Sequence, residues 1–259
     1  MSFVQARRVA SHSWPLYLAA FCLVVLVAGV LPLIGNTVLR CGAALIGLAI
    51  VWWAGASFWA FHVMFDKSNL LSGSWLRRVV AKPLRWVQFT TGLEQTSLPL
   101  ESLFPTAEGR VVDVYDSDVM TEPALARARK HRSLESRPVH SSEIESGWSD
   151  LVVIMLAAHE IRDAAKRKRL VEEAARVASA EGIVVLVEHL RDLIAAIMFG
   201  PGVFHFYPKA TWLRLAASAE LNVDDEFSIT PFVRVFCLRH KAKPPQATDP
   251  RDWPPPNSP

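Results

Sequence analysis

Cysteine is scarce. The 259 residues include only Cys22, Cys41 and Cys237, with no CxxC pair, so neither a disulfide framework nor a thiolate metal site is supported. Paired glycines are missing as well: the one glycine of "FTTGLEQTS" does not make a G-x-G-x-x-G fingerprint. Excess charge is modest, with 28 Lys and Arg against 25 Asp and Glu. "HEIRD" lacks the second histidine of H-E-x-x-H, so no metal-ligand spacing is diagnostic and no metal is expected.

Uncharged runs are plentiful at the front. Leu16–Ile34 carries no charge, and Cys41–Phe65 carries none apart from the ionisable His62. At about 1.5 Å of rise per residue, each segment can cross a hydrocarbon core of roughly 30 Å as a helix. A signal peptide followed by a core helix is the alternative. Signal h-regions span about 7–15 residues, however, and here a second run follows almost at once. Trp14, Trp52, Trp53 and Trp59 suit interfacial belts. The reading is a two-helix hairpin over residues 14–65 with both ends on one side. Arg7, Arg8, Lys67, Arg77, Arg78, Lys82 and Arg85 outnumber the loop's Arg40, so residues 1–13 and everything after the hairpin are expected in the cytoplasm, at the inner membrane. Residues 66–85, with "WLRRVVAKPLRW", read as a basic juxtamembrane segment on anionic headgroups. With lipid the nearer polyanion, no nucleic-acid partner is expected.

Residues 86–240 alternate short apolar runs with helical stretches, which implies an α/β domain with a mostly parallel sheet. "RWVQF" and "GRVVDVY" are strand candidates, and "TEPALARARKH" reads as a helix with Thr121 as a possible cap. The apolar run of "DLVVIMLAAHEI" is too short to cross a bilayer and does not alternate, as in a strand covered on both faces. "RDAAKRKRLVEEAARVASAEG" is an amphipathic helix that Gly182 stops. "IVVLVEHL" is another buried strand. "VDDEFSI" and "FVRVFCLRH", separated by Thr230-Pro231, form an antiparallel pair at the sheet edge. The Pro-rich residues 241–259 read as disordered.

In an open parallel sheet, ligands bind beyond the carboxyl ends of the strands. Three features fall there. Gly92 permits a tight turn and close backbone approach, though it equally serves as a plain turn glycine. Asp116, after the second strand, can accept ribose hydroxyl hydrogens or simply cap a turn. His159-Glu160 and Glu188-His189 end two strands and can do acid–base work or cap the helices that follow. "FGPGVFHFYPKATW" adds an aromatic loop that either walls an apolar substrate pocket with His205 inside it or packs onto the domain.

In this order the elements resemble a class I S-adenosylmethionine-dependent methyltransferase, with a Rossmann-like sheet and a reversed last strand. "FTTGLEQTS" stands at the place of that family's first loop, "VVDVYDSDVMTEPALARAR" is similar to its second strand and acid, and "GWSDLVVIMLAAHEI" looks like its fourth-strand motif. "GLEQTS", "MTEPALARAR" and "FGPGVFHFYPKATWLR" resemble a bacterial membrane-anchored group of predicted methyltransferases with a degenerate glycine loop. The resemblance implies a donor site at Thr91, Gly92, Glu94, Asp116 and Ser117, with Gly92 and Glu94 at the methionine end and Asp116 at the ribose. It implies His159 and Glu160 on the acceptor side as catalytic residues, with His159 as base. Glu188, His189 and His205 then line the substrate pocket. The expected cofactor is S-adenosylmethionine, and the expected partners are the bilayer and a small-molecule or lipid-like methyl acceptor. The missing paired glycines motivate an alternative, a binding or scaffold protein that has lost catalysis. A nicotinamide-dependent reductase ranks below both.

Overall fold

The computed structural model describes residues 3–93, 96–130 and 139–241; the tail assigned to residues 241–259 lies outside them except for Lys241. Helix α1 (Val4–His12) leads into α2 (Trp14–Val30), and α3 (Thr37–Phe61) returns from a tight loop. Pro15 in the first turn of α2 costs no intrahelical donor. Asn36 caps α3, its Oδ1 accepting from the Val38 and Leu39 N–H groups at 2.9 and 3.1 Å. Trp14–Leu33 and Thr37–Lys67 are both long and apolar enough to cross a membrane. Leu16, Phe21, Leu26, Leu45 and Leu48 stand exposed on them.

Asp66, in the π-helical turn His62–Lys67 that ends α3, accepts hydrogen bonds from the Gln5 and Ala6 N–H groups at 2.9 and 3.1 Å. Those are orphan donors of the first turn of α1, so α1 folds back onto the end of the hairpin. Both ends of the hairpin therefore lie on the same side.

The remaining helices are α4 (Leu76–Val79), α5 (Leu100–Leu103), α6 (Pro123–Arg129), α7 (Ala164–Val177), α8 (Leu193–Phe199) and α9 (Lys209–Ser218). They surround a sheet of β1 (Arg85–Thr90), β2 (Glu108–Asp113), β3 (Ser149–Met155), β4 (Ala178–Glu188), β5 (Leu221–Thr230) and β6 (Val233–His240). Its order is β2-β1-β3-β4-β6-β5. The pairings among β2, β1, β3 and β4 are parallel, and β6 runs antiparallel to both β4 and β5. This is the mixed α/β sheet the sequence predicts, with β5 at the edge.

The unbroken apolar run of β3 has a simple cause. Val152 and Ile154 face a core shared with α7 and α9, while Leu151, Val153 and Met155 face a core shared with Met64, Leu70, Trp75 and Leu76. The expected juxtamembrane segment is thus partly structural. Trp75 and Leu76 are buried in the second core, and Arg78 pairs with Asp225 at 3.0 Å and lies 4.4 Å from the centroid of the Phe227 ring.

Two local readings need correction. Helix α6 is capped by Glu122, whose Oε1 accepts from the Ala124 N–H at 3.4 Å, and not by Thr121. Helix α7 ends at Val177, and Gly182 lies inside β4. A Cβ at residue 182 would meet the Ser149 carbonyl at 2.8 Å and the Ser179 nitrogen at 2.9 Å, so glycine serves close strand approach there.

Candidate functional site

Order β2-β1-β3 places a topological switch between β1 and β3, the position where an open sheet leaves a crevice at its carboxyl edge. Four chain segments meet there: the loop after β1, the turn after β2, the turn after β3, and the end of β4.

The loop after β1 is closed by its own hydroxyls. Thr90 Oγ1 contacts Thr96 Oγ1 at 2.9 Å and Ser97 Oγ at 3.0 Å, and Thr91 Oγ1 lies 3.1 Å from Thr96 Oγ1. The Gly92 N–H donates to Thr90 Oγ1 at 2.9 Å, with Gly92 at φ +75°. Glu94 lies outside the described residues.

Strand β2 ends at Asp113, three residues before Asp116. The two carboxylates have different surroundings. Asp113 accepts from the Arg129 guanidinium at 2.9 and 3.2 Å and from the Tyr115 N–H at 3.0 Å, and Arg129 also donates to the Thr91 carbonyl. Asp116 is half-exposed, paired with Lys166 at 2.8 Å, and its pKa is held below the ordinary value by that hydrogen bond. Ser117 is exposed beside it. Asp113 and Asp116 line a cavity of about 680 Å3, together with His140, Ile161 and Lys166.

The turn after β3 carries the densest chemistry. Leu156 adopts φ +49°, a left-handed conformation rare for a branched residue, and its N–H bonds to the Val187 carbonyl at 2.8 Å. That turn presents Ala158–Glu160 to the end of β4. The fully buried Glu188 accepts from the Ala158 and His159 N–H groups at 2.9 and 3.3 Å, and its Oε2 lies 2.6 Å from His159 Nδ1. His159 Nε2 reaches Glu160 Oε1 at 3.4 Å, and Glu160 Oε2 in turn reaches His205 Nε2 at 3.4 Å. Arg162 holds His205 by its carbonyl at 3.0 Å and by Nδ1, which also lies 3.7 Å from Glu122. His189 donates from Nδ1 to the Phe232 carbonyl at 2.8 Å, and its ring centroid is 5.6 Å from that of His159.

The result is an alternating chain, Glu188, His159, Glu160, His205. Burial alone would strip the proton from His159, but the carboxylates of Glu188 and Glu160 outweigh it and raise the pKa to about 10. Burial works against the Glu160 carboxylate, yet hydrogen bonds and charge from His159 and His205 hold it well below the usual carboxylate range. His189 is lowered to about 3 by burial and by the neighbouring His159 charge. His159 is therefore an imidazolium at neutral pH. The two carboxylates that hold its proton argue against the base role expected for it.

The ligand atoms of His159, Glu160 and His205 all lie within 4.8 Å of one another, a spacing that could hold a metal ion. The partners argue for a proton network instead: His159 bridges two carboxylates, and the Arg162 guanidinium approaches His205.

His159, Glu160, His189 and His205 open onto a cavity of about 620 Å3 that also touches Leu93, Thr96 and Leu156. Its far wall is the helical hairpin: Leu16, Tyr17, Ala20 and Leu23 from α2, and Ile50, Trp53, Ala54 and Ser57 from α3. The structure thus brings His159, Glu160, Glu188, His189 and His205 together and leaves Asp116 at the other cavity, with Ser117 exposed next to it in the chain. Sequence reasoning missed Asp113, Glu122 and Arg129, although they lie within the quoted "VVDVYDSDVMTEPALARAR", and it missed Arg162 and the hairpin wall.

The sequence matches no protein-family model and no curated protein sequence. Among solved structures it is similar to the PH0226 protein of Pyrococcus horikoshii OT3, at 12% identity over 67% of this chain and 89% of that one, with a TM-score of 0.48. It is similar to the pyocyanin biosynthetic protein PhzM at 12% identity, over 71% and 58% of the chains, with a TM-score of 0.47. A SAM-dependent methyltransferase of Aquifex aeolicus shares 13% identity over 60% and 81% of the chains, with a TM-score of 0.43.

Proposed function

We propose that this chain is a membrane-anchored S-adenosylmethionine-dependent methyltransferase that acts at the cytoplasmic face on an amphiphilic acceptor. The observation that carries the reading is the buried chain from Glu188 through His159 and Glu160 to His205, set at the carboxyl edge of the sheet and facing an apolar cavity.

The two cavities divide the work. The cavity of about 680 Å3 at Asp113 and Asp116 offers carboxylates to the hydroxyls of a nucleoside ribose. The cavity of about 620 Å3 at Leu93 and Thr96 takes the acceptor. S-adenosylmethionine, when bound, supplies an electrophilic methyl group. Glu160 would accept a hydrogen bond from the acceptor hydroxyl and take up its proton, the rest of the donor leaving as the thioether S-adenosylhomocysteine. A weakly basic carboxylate suffices, because an alkylated hydroxyl oxygen is itself a strong acid. The His159 imidazolium fixes Glu160 and keeps it ionised, and Glu188 fixes His159.

One observation favours a second reading, a methyltransferase-like binding protein without catalysis. Arg129 already occupies Asp113 and the Thr91 carbonyl, and the loop after β1 bonds to itself. Calorimetric titration of the detergent-solubilised full chain with S-adenosylmethionine and S-adenosylhomocysteine separates the two. Saturable heat supports the enzyme; no heat at millimolar ligand overturns it in favour of the second reading.

A further inference from the structure

The membrane hairpin is more than a tether, because it forms one wall of the cavity whose other end is the proton network. We infer that the acceptor is a neutral membrane lipid with a long apolar chain and a hydroxyl head, which enters from the bilayer between α2 and α3 and seats its hydroxyl at Glu160. The inference deepens the methyl-transfer reading and rests on it for the fate of that hydroxyl.

Three observations on the two sides of the cavity support a lipid occupant. The hairpin is held in place against the domain. The Trp52 Nε1–H donates to the Ile197 carbonyl at 3.0 Å, and Arg127 Nε donates to the His12 carbonyl at 2.6 Å. The wall is made of residues that elsewhere in a span face lipid, with Leu16, Leu23 and Ile50 beside the small Ala20 and Ala54. A tail lying there stays continuous with the bilayer. Beside the cavity, Leu193, Ile194, Ile197 and Phe204 are exposed on α8 and the loop after it, an apolar surface that fits the headgroup boundary and brings the cavity mouth to membrane level. The size, about 620 Å3, falls within the roughly 300–1,000 Å3 of sites that enclose a ligand of this scale.

Charge selects the head. Glu122 and Glu160 present carboxylates to the polar end and Glu188 lies behind His159, so three carboxylates stand against the two cations there, the His159 imidazolium and the Arg162 guanidinium, and the balance is negative. A phosphate or carboxylate head would meet like charge there, whereas a hydroxyl donates to Glu160 and loses nothing. The occupant is therefore an alcohol or phenol lipid and not a phospholipid.

Photocrosslinking tests this without S-adenosylmethionine. The full chain is placed in phosphatidylcholine nanodiscs containing a long-chain alcohol with a diazirine in its tail, and labelled peptides are mapped by mass spectrometry. Labels are expected on residues 16–23 and 50–57, reduced at least tenfold by excess unlabelled hexadecanol and unaffected by phosphatidic acid. Ala20→Trp and Ala54→Trp, which fill the cavity from opposite helices, are each expected to abolish the cavity label with unchanged melting temperature. Label spread evenly over lipid-facing positions such as Leu45 and Leu48, or displaced equally by phosphatidic acid, overturns the inference. Because no methyl donor is present, failure here leaves the methyltransferase reading standing. Specific labelling of a chain that binds no S-adenosylmethionine defeats that reading and retains the pocket.

Discussion

Glu188 Oε2 lies 2.6 Å from His159 Nδ1, and this contact joins the turn after β3 to the end of β4. Both groups are buried, and the same carboxylate accepts two backbone N–H groups from the turn. Removing it leaves an imidazolium and two amides without their acceptor. Glu188→Ala is therefore expected to cost about 3–5 kcal/mol, the range for breaking a buried ion pair. Glu188→Gln should cost less, because an amide oxygen still accepts from the Ala158 and His159 N–H groups. Denaturant unfolding of the two variants checks the order; equal cost would show that the backbone bonds are irrelevant.

The same network sets a pH dependence. His159 is raised from 6.5 to about 10, so the folded state holds a proton that the unfolded chain releases near neutrality. The stability it contributes is complete below about pH 6.5 and is lost as pH rises through about 10. His189 has the opposite sign. Lowered from 6.5 to about 3, it is neutral in the fold, so stability declines as pH falls across that interval. Melting temperature measured against pH should fall on both sides of neutrality; His159→Gln should flatten the alkaline limb and, by removing one of the charges that lower His189, soften the acidic one. An unchanged alkaline limb in that variant would refute the imidazolium assignment.

On the proposed methyl-transfer reading, Asp113 and Asp116 are rival candidates for the ribose. Asp113 ends β2 but is engaged by Arg129, while Asp116 is half-exposed and, among the described residues, held by Lys166 and the Asp118 N–H. A ligand displaces an exposed lysine at little cost, since such pairs contribute about 0–1 kcal/mol. Asp116→Ala is expected to weaken S-adenosylmethionine binding at least tenfold with little change in melting temperature. Asp113→Ala, which frees Arg129, should lower the melting temperature as well. Calorimetry beside a thermal melt distinguishes the two carboxylates.

What was legible in the sequence follows from which signals are local. The run from Leu151 to Met155 declares a strand covered on both faces, and its two sets of side chains do face two cores. The hairpin declares itself by length, but its residues are apolar all round, so no periodicity reveals that Ala20 and Ala54 face a cavity. The pairing of Glu160 with His205 spans two helices, a strand and a loop, and nothing at either end announces the other. Arg129 looks like one more surface cation in "ALARAR" until the sheet brings Asp113 beneath it. Gly182 reads as a helix stop because glycine does stop helices; here the crowding by Ser149 and Ser179 decides.

Gly200 offers the sharpest test of how the hairpin and the soluble domain are joined. It adopts φ +54°, and a Cβ there would lie 2.4 Å from the Trp53 ring. Alanine is unfavourable on both counts, the backbone because left-handed conformations crowd a side chain, the contact because an indole packed at the cavity wall has little room to retreat. Gly200→Ala is expected to push the loop after α8 away from α3 and loosen the Trp52 bond to the Ile197 carbonyl. Amide exchange over residues 193–205 should then accelerate, while exchange in β3 and β4 stays at wild-type rates, because those strands are buried on both faces. Unchanged exchange over residues 193–205 would mean that the helix and the hairpin are not mechanically linked, and that the cavity wall is held by other contacts such as the Arg127 bond to the His12 carbonyl.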